Sequence, residues 1–281
     1  MKSEVIKLTT QLTDLTKNNM GVIEWASPIP VFGDIEISKV ATLGLNPSNR
    51  EFIDASGEEL TGSNRRFHTL QSLGVSDWRS LTKEHISLIE GSYRDYFKTN
   101  PYNGWFKRLD ELLVGVDASY YGNKLFDACH LDLIPFATYE KWTHLTSKQK
   151  RVLLESSKAH LIETLKNTNI ELLILNGRSV VNAFQVLTDE KISSREMASW
   201  SLPRTKGGNI KGYAYEAKVS KISGHRLNKE VNVIGFNHNI QSSFGVTKQV
   251  KKAIRDWISR YRHEVNNESR SETTKTKTTK L

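Results

Sequence analysis

Val40-Ala41-Thr42-Leu43-Gly44-Leu45-Asn46-Pro47-Ser48-Asn49-Arg50-Glu51-Phe52 is a short apolar run that stops at an asparagine and a proline. Small and β-branched residues up to Leu45 predict a buried strand, and Asn46-Pro47 makes the chain leave it in an extended, non-helical direction. The break therefore stands at the carboxyl end of a strand. In open α/β sheets ligands bind beyond that end, so Asn46 is aimed at a site rather than into the core.

Beyond that run, three more apolar stretches end in turn or polar residues: 124–134, 170–176 and 231–236. Helical patterns lie between them. Trp105, Phe106, Leu109, Leu112 and Leu113 fall on one face after Pro101, and Val152, Ser156, Ala159 and Leu165 do so after the caps Thr146 and Ser147. Four strands with long helical crossovers predict a three-layer α/β domain whose central, mostly parallel four-stranded sheet is flanked by helices. Residues 213–221 alternate with period two after Lys206-Gly207-Gly208-Asn209, which fits an antiparallel addition or an edge hairpin. Val250, Ile254, Ile258 and Tyr261 mark a last amphipathic helix. The expected organisation is an N-terminal helical extension over 1–22, one domain over 23–263, and a disordered basic tail over 264–281, where apolar periodicity is absent.

Composition narrows the class. The single cysteine, Cys129, excludes an intramolecular disulfide, a four-cysteine zinc site and a four-cysteine iron–sulfur cluster, and fits a reducing compartment. No apolar run approaches the roughly 20 residues of a membrane span, and the first residues lack the apolar core of a signal peptide. A soluble, cytoplasmic monomer without membrane contact is expected. Charge is uneven: residues 1–190 hold 21 basic against 24 acidic side chains, whereas 191–262 hold 15 against 4. Such a block fits a polyanion, nucleic acid before lipid in a cytoplasmic protein, or a solvated basic face with no partner. Phosphate-loop, zinc-protease, nucleophile-elbow and dinucleotide motifs are absent, and the histidines lack metal-binding spacing, so neither metal nor cofactor is expected.

Three constellations carry chemistry. The Asn46 amide donates and accepts at once, which suits holding a water beside a substrate, although asparagine before proline is also a common turn former. In the polar loop Asn237 to Gly245, His238 is placed to donate to a leaving group or to cap a helix, while Asn239, Gln241, Ser242 and Ser243 suit phosphate contacts at a helix start. In Asp127 to Thr138, Cys129 and His130 point to opposite faces of a strand, which disfavours a nucleophilic pair. Asp132, a carboxylate at the end of a buried strand, needs either an internal partner or a polar ligand such as a base-edge amine.

Leu43-Gly44-Leu45-Asn46-Pro47-Ser48 resembles the first active-site motif of the uracil-DNA glycosylase superfamily, especially its mismatch-type branch, where Asn-Pro replaces the Asp-Pro of the uracil-specific branch. Asn64-Arg65-Arg66-Phe67-His68-Thr69-Leu70 resembles the segment whose aromatic residue stacks on the extruded base, which makes Phe67 the implied platform. Asn237 to Gly245 takes the place of the second motif, with Asn239 where the pattern has proline and Ser242 where it has a leucine wedge; Ile240 and Phe244 are the substitute wedges. Cys129 to Asp132 falls where the uracil-specific branch has a uracil-reading asparagine. The likeness spans roughly residues 25–257. Phe32-Gly33-Asp34, the stretch Tyr96 to Tyr102, and Trp105-Phe106 resemble a less-characterised bacterial group of the superfamily, some of whose relatives act on hypermodified bases of phage DNA.

The resemblance implies a monofunctional DNA glycosylase acting on double-stranded DNA. The flipped base would lie on Phe67 beside Pro47, with Asp132 or His130 at its polar edge. His238 would stabilise the departing base, Asn46 would position water, and Glu51 or Asp54 would supply a carboxylate if one is used. Lys206, Lys211 and Arg226 are the expected phosphate contacts, together with Asn239, Gln241, Ser242 and Ser243. An acceptor such as Asp132 repels uracil's carbonyls, so a modified cytosine is the expected substrate, for instance glucosylated hydroxymethylcytosine of phage, with an antiviral role. The alternatives are a uracil or mismatch repair glycosylase and a non-catalytic DNA-binding module.

Overall fold

A computed structural model describes residues 2–204, 207–241 and 246–262. Its helices are α1 (Lys2–Lys17), α2 (Leu70–Leu73), α3 (Lys83–Arg94), α4 (Asn103–Leu113), α5 (Ser147–Lys166), α6 (Arg178–Leu187) and α7 (Lys248–Ile258). Its strands are β1 (Val40–Gly44), β2 (Ala118–Ser119), β3 (Phe126–Asp132), β4 (Leu172–Asn176), β5 (Ser193–Pro203), β6 (Asn209–Ile222) and β7 (His225–Phe236).

The opening apolar run becomes β1, buried along its whole length because helices cover both faces of a parallel sheet. Its neighbours are β3, where Thr42 pairs with His130 and Gly44 with Asp132, and β4, where Leu43 pairs with Leu175. The full order is β2-β3-β1-β4-β7-β6-β5. Strands β2 to β7 are parallel to their neighbours up to the β4–β7 pair, and β6 and β5 continue antiparallel. All four expected strands are present, but the sheet has seven strands rather than four. The alternating residues 213–221 lie within β6 and so form the antiparallel addition. Strand β5 escapes the apolar pattern because it is an edge: of its side chains only Trp200 and Leu202 are buried.

Helix α1 presents Val5, Leu8, Leu12 and Leu15 to the common core, so it is packed into the domain. Helix α4 buries Phe106, Leu109, Leu112 and Leu113 as its spacing predicts, and α7 buries Val250, Ile254, Trp257 and Ile258. In α5 the buried face is rotated from the expected one. Leu153, Ser157, His160 and Leu161 face inward while Ala159 is exposed. The reason is polar burial: His160 Nδ1 lies 2.8 Å from Glu4 Oε1 on α1, so a polar pair occupies a position that apolar periodicity cannot mark. Cys129 is fully buried, and burial pushes its thiol up to about 12. No described helix is long and apolar enough to cross a membrane.

Candidate functional site

Where the parallel strands end, their carboxyl edges open into a cavity of about 630 Å³. Four of the five parallel strands deliver one polar group each to it: Asn46 follows β1, Asp132 ends β3, Asn176 ends β4 and Asn237 follows β7. Neighbouring strands lie about 4.8 Å apart, so Asp132 and Asn176, on either side of β1, stand roughly 10 Å from one another. Trp105 from α4 and Trp142 from the loop after β3 contribute aromatic wall, and Arg178 at the start of α6 contributes a cation.

Asn46 is held by its nitrogen. Nδ2 donates to Thr138 Oγ1 at 3.0 Å, to the Pro47 carbonyl at 3.1 Å and to the Phe136 carbonyl at 3.5 Å. Carbonyls only accept, so this fixes which end of the amide is which. Oδ1 has no protein partner among the described residues and is the free acceptor. Pro47 is buried and lines the same cavity. Turn former and site residue are therefore one role here.

Asp132 is 4% exposed, and the atom facing it is His130 Nε2, 3.4 Å from Oδ1. On the other side of that imidazole, Nδ1 lies 2.6 Å from Thr42 Oγ1, which in turn lies 2.5 Å from the Tyr120 hydroxyl. The parallel register puts Thr42 beside His130 and Gly44 beside Asp132, so all four groups share one face of the sheet. His130 itself does not line the cavity; Trp105 packs edge-on against its ring, 5.0 Å between centroids. Of the two side chains expected at a base's polar edge, only Asp132 lines the cavity.

The other wall pairs Asn176, which the sequence pattern did not flag, with Gln241, which was expected at a phosphate. Asn176 Nδ2 donates to Gln241 Oε1 at 3.1 Å, while Asn176 Oδ1 and Gln241 Nε2 are buried without a partner. Arg108 donates to the Gln241 carbonyl at 2.7 Å and fixes the loop that carries it. The available signal was the one that marks Asn46, a polar residue closing a buried apolar strand, although Asn46 precedes a proline and Asn176 a glycine.

Several expected site residues lie elsewhere. Phe67 is 1% exposed and stacks on Tyr96 at 5.0 Å and 9°, inside a cluster with Phe32 and Tyr93, so its faces are taken by the core and it is no platform for a base. His238 is buried, and its Nε2–H donates to the Trp200 carbonyl at 2.6 Å. Burial also holds its imidazole below the usual histidine range, so it offers no donor to a leaving group. Glu51 is buried outside the cavity lining and accepts from the Tyr96 hydroxyl at 2.7 Å; burial raises its carboxyl to about 7. Asp54 is exposed and accepts from the Ser56 hydroxyl and from the amides of Ser56 and Glu58, which keep it below the usual carboxylate range. It organises a turn.

Of the residues expected to contact phosphates, Asn239 lines the cavity and accepts from the Gln241 backbone amide. Lys211 sits at the cavity end of β6, where its carbonyl accepts from Asn237, and its ammonium pairs with Glu196 at 2.9 Å. Arg226 is exposed at the opposite end of the β6–β7 ribbon, beside the turn at 222–225, and does not belong to the site. Ile240 is 2% exposed and cannot be a wedge. Lys206, Ser242, Ser243, Phe244 and the tail 264–281 lie outside the described residues. Among those described, no cluster of histidine, cysteine and carboxylate side chains could hold a metal. No protein-family model matches the chain, and no curated protein matches it.

Proposed function

We propose that the protein is a monofunctional DNA glycosylase that hydrolyses the N-glycosidic bond of a flipped-out modified base. The observation that carries this reading is the pairing of Asn46 and Asp132 in one cavity. A water-holding acceptor and a base-reading carboxylate stand on adjacent strands, at the end of the sheet where the sequence resembles the first motif of the uracil-DNA glycosylase superfamily.

The reaction follows from those groups. Flipping the nucleotide costs a few kcal/mol, and the extruded base enters with an exocyclic amine donating to Asp132 and its ring against Trp105. The glycosidic bond breaks with its electron pair on the base, and the sugar becomes an oxocarbenium. Arg178, which lines the cavity, is the donor that stabilises the departing base. A water held by Asn46 Oδ1 adds to C1′ and its proton goes to the released base, leaving an abasic site. So strong an electrophile takes up an oriented water without a carboxylate base, consistent with Glu51 and Asp54 standing outside the cavity.

Cavity span favours a modified cytosine over uracil. A base held at Asp132 leaves the Asn176–Gln241 wall, roughly 10 Å away, to a substituent. Asn176 and Gln241 both line the cavity, and amides match hydroxyls such as those on glucosylated hydroxymethylcytosine of phage DNA, which suits an antiviral role. The test is a panel of duplexes carrying uracil, cytosine, hydroxymethylcytosine or its glucosylated form, assayed for alkali-labile abasic sites. Release of the modified cytosine is expected. Release of uracil alone would assign the protein to repair, and DNA binding with no release from any duplex would leave a non-catalytic binding module.

A further inference from the structure

The buried chain Tyr120, Thr42, His130, Asp132 has a direction. With a neutral imidazole beside an ionised carboxylate, two proton arrangements satisfy its contacts. In one, the Tyr120 hydroxyl donates to Thr42 Oγ1, Thr42 donates to His130 Nδ1, and the proton on Nε2 faces Asp132 Oδ1. In the other, every donor is reversed, and a bare Nε2 lone pair faces a carboxylate oxygen 3.4 Å away between two buried side chains. Like partial charges at that separation repel strongly in a low dielectric, so the first arrangement is the stable one. Burial also holds the Tyr120 phenol well above its ordinary range and keeps it a donor. Its position is fixed as well: the ring stacks on Phe97 at 4.6 Å and 12°, and its backbone amide donates to Asp110 at 2.8 Å.

We propose that Tyr120, Thr42 and His130 are positioning residues that hold Asp132 as a fixed acceptor in the cavity, so that preference for an amine-bearing base depends on hydroxyls that never touch it. The relay itself stands on geometry; its effect on base choice rests on the glycosylase reading above. Among the described residues the polar group set against the Asp132 carboxylate is the His130 imidazole, with Nε2 3.4 Å from Oδ1, so the imidazole sets which oxygen is turned to the ligand.

Two measurements separate the relay from the reaction. The first is the tautomer of His130, read from long-range proton–nitrogen couplings in the ¹⁵N-histidine-labelled full chain. A proton on Nε2 in the wild type, and its loss or scrambling in Thr42→Val, is expected; a proton on Nδ1 in the wild type overturns the relay whatever the enzyme does. The second is the ratio of excision from amine-bearing and carbonyl-bearing bases. It is expected to fall about tenfold in Thr42→Val, less in Tyr120→Phe because Thr42 can still donate, and to recover in Thr42→Ser. A merely structural role would lower both activities together, so an unchanged ratio overturns the effect on base choice. Inactivity of the wild type on every base would reject the glycosylase reading and leave the tautomer result standing.

Discussion

Gly44 and Asp132 are cross-strand partners on β1 and β3, and the space a Cβ on Gly44 would occupy is already taken by Asp132 Oδ1, with His130 Nε2 3.0 Å away. The glycine that closes this apolar strand, unfavourable in itself, is thereby explained by the carboxylate that lies across it. Gly44→Ala is expected to push Asp132 out of line. Stability should fall by about 1–3 kcal/mol in urea unfolding, as for other overpacked sites. Excision should fall more steeply than that loss accounts for, and near-normal turnover would separate the Asp132 position from the chemistry.

Asn46→Ala removes the acceptor held for water while leaving the DNA-facing surface intact. Single-turnover excision is expected to drop roughly 100-fold with DNA affinity within a few-fold of wild type, since a misplaced nucleophile matters only in the transition state. Measuring both constants on one preparation checks it. A parallel loss of binding would assign Asn46 to the turn alone.

Asp132→Asn replaces an acceptor by a group that donates and accepts. The ratio of excision from modified cytosine to excision from uracil should shift toward uracil by about tenfold or more, because the amide now matches a carbonyl-bearing edge. An unchanged ratio would place base recognition elsewhere in the cavity.

Glu51 gives a pH signature independent of any substrate. Its folded-state value of about 7 lies above its ordinary 4.5, chiefly through burial. Below about 4.5 the carboxyl is protonated in both folded and unfolded chains, so nothing is lost. Between 4.5 and 7 the unfolded chain ionises first, the folded state binds more protons, and stability falls as pH rises. Glu51→Gln keeps an acceptor for the Tyr96 hydroxyl and cannot ionise. It should be more stable than wild type at pH 8, by an amount on the order of 3 kcal/mol, and similar at pH 4. Urea midpoints at the two pH values decide it.

Lys211 and Arg226 lie at opposite ends of the same ribbon, so charge reversal at each should differ. Lys211→Glu is expected to weaken DNA binding and reduce the slope of affinity against salt by about one, whereas Arg226→Glu should leave both unchanged. Equal effects would mean that DNA runs along the whole ribbon.

The sequence was most readable where one physical signal dominated. Buried parallel strands read as apolar runs, and the polar residues that close them, Asn46 and Asp132, stood out for the same reason. Asn176 carries that signal too but sits before a glycine and a helix, where it passes for a loop residue. Phe67 and His238 show the limit: an aromatic or imidazole in a suggestive motif has no address until packing gives it one, and here packing turned both inward. Strand β5 and the rotated face of α5 failed for the opposite reason, since one is an exposed edge and the other buries serine and histidine.

Cys129, sealed in β3 with its thiol raised by burial, has a practical corollary. A thiolate is what alkylates, and this one is neither formed at neutral pH nor reachable. The native chain is therefore silent toward maleimides. One cysteine introduced at exposed Thr143, on the rim of the cavity, would be the sole point of attachment for a fluorophore. Entry of a flipped nucleotide could then be timed directly in an otherwise unaltered chain.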